Sequence, residues 1–100
     1  MVVATLGTPR EKVWGVVLAL TAEGLSISGT DLASFEDFIS TVKEGAAYPS
    51  SVIFFPMHRI ERIELDLAAG NVPSLSDQFV TKTGLDPATV LLGRGAKGGS

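Results

Sequence analysis

The residues best equipped for chemistry lie in one stretch, Phe54-Phe55-Pro56-Met57-His58-Arg59-Ile60-Glu61-Arg62. It holds the only histidine and two of the eight basic residues. Arginine presents a planar fork of donors that suits phosphate or carboxylate, and histidine adds a titratable donor. His58, Arg59 and Arg62 are therefore the candidate ligand or nucleic-acid contact. The competing assignment is structural: the arginines pair with Glu61, Glu64 or a neighbouring subunit, and a lone histidine faces solvent.

Other chemistries find fewer footholds. Glu64 and Asp66 are two residues apart, so a strand places them on one face within reach of each other. The same spacing serves solubility on a wet sheet face. Glu36 and Asp37 fall at a helix start, where they complement the dipole. No Gly-x-Ser-x-Gly elbow occurs, and a single histidine leaves little choice of base for a serine nucleophile. The glycine-rich stretch 93–99 has no strand before it and no helix after it, as a phosphate loop requires. With no cysteine, one histidine and no EF-hand spacing, neither a metal site nor a disulfide is expected. No catalytic residue, metal or cofactor is assigned.

The 100 residues suit one domain, placed at 1–93, with 94–100 as a flexible tail. Hydrophobic residues make up 45% and charged residues only 19%, which favours a packed core over disorder. The net charge of −3 and the scatter of the basic residues argue against nucleic acid, whose binders cluster Lys and Arg against phosphates. Only a local basic edge escapes that argument. No run approaches the roughly 20 apolar residues of a membrane helix. Val13 to Leu20 has the length of a short signal-peptide core, but Glu11 breaks its basic flank. A cytoplasmic location is expected. High apolar content with few charges predicts a surface hidden in further copies of the chain, a homo-oligomer, or in another protein partner.

Around these residues the pattern sets out the elements. Met1 to Pro9 reads as a loose leader. Lys12 to Leu20 is apolar on both sides, as a central covered strand. Thr21 to Gly24 turns the chain, with Gly24 free to take positive φ. Leu25 to Thr30 alternates, with Leu25 and Ile27 inward and the hydroxyls outward. Phe35, Phe38, Ile39 and Val42 form one stripe of a helix Phe35 to Lys43, capped by Ser34. Glu44 to Ser51 is a loop. Val52 to Phe55 is a short buried strand stopped by Pro56, and its two phenylalanines point to opposite faces. Met57 to Ile60 makes a tight or helical turn. Ile63, Leu65 and Leu67 alternate with charged residues as a strand with one wet face. Ser74 caps a helix that Gly84 ends, with Leu85 as its closing apolar contact, and Asp86-Pro87 opens a last helix ended by Gly93.

In strand spacing the chain resembles small SH3-like and Sm-like barrels. Val13 to Ile27 stands for the bent hairpin, Val52 to Leu67 for the closing strands, and Pro56 to Ile60 for the short turn between them. The resemblance covers half the chain and implies a partial barrel, ring assembly and RNA binding. The helix at 35–43 departs from the Sm order, in which a helix comes first, and the C-terminal helices are additional.

The expected fold is α+β: a small, bent antiparallel sheet of four strands, or SH3/Sm-like partial barrel, with an inserted helix and short C-terminal helices across it. The expected core is Val16, Leu18, Leu25, Ile27, Phe35, Phe38, Ile39, Val42, Ile53, Ile63, Leu65, Phe79 and Leu92. Three functions follow. The first is a non-enzymatic homo-oligomeric assembly module. The second is an Sm-like nucleic-acid or nucleotide binder using His58, Arg59 and Arg62. The third is a small enzyme or sensor with a pocket under the C-terminal helices.

Overall fold

The computed structural model describes residues 1–45 and 52–93. The expected tail 94–100 and most of the loop 44–51 lie outside them. The segment expected as a leader is instead strand β1, Val2–Leu6. It pairs antiparallel with β2, Glu11–Leu20, on one side and with β5, Ile60–Leu65, on the other. Val2, Val3 and Thr5 are β-branched and favour a strand, but five residues are too few to show a clear period, and pairing on both sides fixes the element. Ala4 and Leu6 are fully buried.

β2 turns at Thr21–Gly24 into β3, Gly24–Asp31, and β4, Val52–Pro56, completes the sheet in the order β4-β3-β2-β1-β5. Gly24 lies in β3 and is needed for contact, not for positive φ. A Cβ there would stand 2.2 Å from the Phe55 carbonyl oxygen. β4 and β5 are opposite edges, yet only the 3-10 turn Met57–Arg59 joins them. Such a turn rises about 2 Å per residue, whereas the edges of a flat five-stranded sheet lie about 19 Å apart. The sheet must therefore curl until its edges approach at that end. Gly15 and Gly29, directly paired in β2 and β3, permit the close approach: a Cβ on Gly15 would sit 2.3 Å from the Ser28 carbonyl oxygen. The edges do not pair with each other, so the sheet stays open and is not a closed barrel.

Curling fills one face with the sheet's own side chains. Val2, Ala4, Leu6, Val13, Leu25, Ile27 and Phe55 form one cluster, with Ile53, Ile60 and Ile63 against it. Residues of both edge strands meet there, which marks this face as concave. Three helices cover the convex face: α1, Phe35–Lys43; α2, Leu75–Thr83; and α3, Pro87–Leu92. Trp14 is the centre of this second cluster, edge-on to Phe35 with centroids 5.1 Å apart, while Phe38 stacks on Phe79 at 5.4 Å.

Several expectations are corrected. Ser28 and Thr30 are buried on the helix-covered face, because both faces of β3 are packed. Ser28 Oγ donates to the Leu91 carbonyl at 2.7 Å and so ties α3 to the sheet. The Ser34 side chain makes no cap; Asp31 accepts from the Ala33 N–H at the 3-10 turn Leu32–Ser34 just before α1. Ser74 and Asp86 do cap α2 and α3, and Gly84 and Gly93 end them at left-handed φ. Leu85, by contrast, is half-exposed. Of the expected core, Leu18, Leu65 and Leu92 are exposed, and Trp14, Val13, Leu6 and Leu91 take their place.

Candidate interaction surface

The three residues assigned to a ligand contact have separate surroundings. Arg59 sits on the 3-10 turn and reaches back over the β1–β2 turn. Its Nε donates to the Gly7 carbonyl at 3.0 Å, and one terminal nitrogen donates to the Pro9 carbonyl at 2.7 Å and to Glu11 at 3.0 Å. Its guanidinium lies 5.8 Å from the centre of the Phe55 ring. With the Gly7 N–H donating to its own carbonyl, Arg59 fastens the edge-linking turn to β1. Arg62 pairs with Glu64 at 3.4 Å on the convex side, where both are more than half exposed. His58 is exposed and makes no hydrogen bond or ion pair among the described residues.

The carboxylate pair expected at Glu64 and Asp66 does not form, because β5 ends at Leu65 and Asp66 turns toward α2. Asp66 accepts from Trp14 Nε1 at 2.9 Å, from the Leu75 N–H at 2.9 Å, and from the N–H and hydroxyl of Ser76 at 2.8 and 2.6 Å. Partial burial pushes its pKa up, but these four donors, the Ser76 hydroxyl foremost, outweigh that and hold the carboxyl below its usual range. Asp66 thus joins the end of β5, the convex aromatic cluster and the first turn of α2. Its spacing with Glu64 points to surface solubility, so this role has no sequence signal beyond the Ser74-Leu75-Ser76 cap nearby.

A cleft of about 150 Å³ opens between β3 and α1, lined by Thr30, Ser34, Asp37, Phe38 and Thr41. None of its lining residues belongs to the C-terminal helices, and it is smaller than a usual ligand pocket, roughly 300 Å³ or more. Among the described residues no group of three or more His, Cys, Asp or Glu side chains could hold a metal ion. No helix among them is long and apolar enough to cross a membrane.

What the surface offers is an apolar edge. β4, expected as buried, is an edge strand: only Phe55 is buried, while Val52 and Phe54 are 62% and 53% exposed. The alternation that sends the two phenylalanines to opposite faces is readable from the sequence, and it puts Phe54 beside Val52 on the convex side. β5, the other edge, carries Glu61, Arg62 and Glu64 within six residues. Charges of this kind keep a free edge from pairing, and β4 has none. Compared with known proteins, the chain matches no family model, no curated protein and no solved structure.

Proposed function

We propose that this chain is a non-enzymatic assembly module that associates with further copies of itself through its open sheet. The observation that carries this reading is β4: an edge strand with no charge and two large apolar side chains in solvent. Unpaired, uncharged edges are what proteins normally avoid, because their N–H and C=O groups template another strand. The nucleic-acid reading draws less support. Arg59 already gives donors to Gly7, Pro9 and Glu11, which leaves His58 and Arg62 as separate solvent-facing groups.

Light scattering on the purified chain at two salt concentrations tests the proposal. Association through apolar contact and backbone hydrogen bonds is not screened by salt, so a defined oligomer is expected at both. A monomer at both defeats the proposal. An assembly that appears only at low salt moves the contact to the charged residues.

A further inference from the structure

We propose that β4 is a self-complementary dimer edge, joined antiparallel to β4 of a second copy about a two-fold axis at Ile53. The inference rests on the self-association reading above and adds the strand, the register and the symmetry.

The direction of the free backbone groups follows from the ladder. β4 pairs with β3 as Leu25–Phe55, Ser26–Phe54, Ile27–Ile53 and Ser28–Val52. The Met57 N–H donates to the Glu23 carbonyl at 2.8 Å, one step beyond the ladder. Hydrogen-bonded pairs alternate with non-bonded ones along an antiparallel ladder. The bonded pairs are therefore Glu23–Met57, Leu25–Phe55 and Ile27–Ile53. Val52, Phe54 and Pro56 then turn their backbone groups outward, away from β3. Val52 and Phe54 are also the residues whose side chains stand in solvent, so backbone and side chains open at the same place.

Among the described residues, two symmetric registers pair both Val52 and Phe54 across this edge. Phe54 opposite Phe54 sets each Val52 against Pro56, which has no N–H, and strands two Val52 carbonyls. Val52 opposite Phe54, with Ile53 on the axis, uses every outward N–H and C=O of both residues in four bonds. It also makes two cross-strand pairs of a β-branched residue with an aromatic, all on one face. Charge favours the same choice. Joining β4 to β5 of another copy brings an uncharged apolar strand against Glu61, Arg62 and Glu64, whereas joining β4 to β4 brings no charge into contact. The product is one continuous sheet across both copies, whose outer edges are the two charged β5 strands.

The test uses single cysteine substitutions in the full chain, which has no cysteine of its own. In the proposed register the two copies of position 53 face each other in a non-bonded pair with Cα atoms about 4.5 Å apart, inside disulfide range. The two copies of position 54 lie diagonally at about 8 Å, outside it. Under mild oxidation Ile53→Cys should form a covalent dimer and Phe54→Cys should not. Phe54→Arg, a change at an exposed position, should weaken the dimer roughly thirtyfold or more by light scattering, with the thermal melt retained. Cross-linking by Phe54→Cys instead overturns the register. An oligomer that neither cross-links through position 53 nor responds to Phe54→Arg overturns the edge while self-association survives. A monomeric parent chain overturns both.

Discussion

On the concave face, Ala4, Leu6, Leu25 and Ile27 are buried by other strands of their own sheet; on the convex face, Trp14, Phe38 and Phe79 are buried by helices laid across it. The concave cluster is aliphatic apart from Phe55, and the convex one is built on four aromatic rings. The difference follows from geometry. A curled sheet brings its strands close enough for short aliphatic chains to meet, whereas between sheet and helices the large rings of Trp14, Phe35, Phe38 and Phe79 pack on one another, with aliphatic side chains around them. The concave cluster depends on curvature, hence on Gly15, Gly29 and the turn held by Arg59. The convex cluster depends on tethers that hold the helices down, hence on Asp66 and Ser28.

The largest expected effect separates the two faces. Phe79→Ala should cost about 3–5 kcal/mol and shift the Trp14 emission to longer wavelength, because α2 loses its only fully buried ring. Leu6→Ala should cost about 2–5 kcal/mol in urea unfolding and leave the emission of the remaining native fraction unchanged. Equal emission shifts in both variants would show that the clusters act as one core.

Asp66 is next in size. Its folded pKa is lowered, so its stabilisation is present above the ordinary value near 3.8 and is lost as pH falls through the lower folded value. Asp66→Asn should cost about 1–3 kcal/mol at neutral pH. As pH falls from about 5 to about 2, the variant's stability should decline less steeply than the parent's, read as urea midpoints at each pH. Parallel curves would remove Asp66 as the tether of α2.

Much of this architecture is legible in the residues. The stripe Phe35, Phe38, Ile39 and Val42 sets α1 to its observed bounds, since a helical period needs only local spacing. The caps Ser74 and Asp86 and the stops Gly84 and Gly93 are equally local. β1 carries a local signal in the β-branched Val2, Val3 and Thr5, but it is short, runs straight into Gly7-Thr8-Pro9, and its partner β5 is distant in sequence, so it reads as a leader. β4 misleads for a related reason. Val52-Ile53-Phe54-Phe55 looks like a core strand, and only the strand order reveals that nothing lies beyond it among the described residues. At the candidate contact, the turn carrying His58 and Arg59 is recognisable from Pro56 onward. The carbonyl and carboxylate partners of Arg59 lie 48 to 52 positions away and leave no trace in spacing.

The smallest expected effect probes where the helix-covered face runs out. Thr5 points to the convex side, 3% exposed, and its hydroxyl has no hydrogen-bond partner among the described residues. In its cross-strand row stand Lys12 and Arg62, both exposed, and no aromatic ring. The hydroxyl is therefore removed from water without a partner, which costs about 1–3 kcal/mol. Valine has the same shape without the polar atom, so Thr5→Val should raise stability by about 1 kcal/mol, read as a higher urea midpoint at an unchanged slope. The equivalent change on the concave side has no polar atom to remove, since Ala4 and Leu6 flank Thr5 there. A Thr5→Val variant that loses stability would mean the hydroxyl holds a bound water, and that the convex layer is wetter at this end than its aromatic centre.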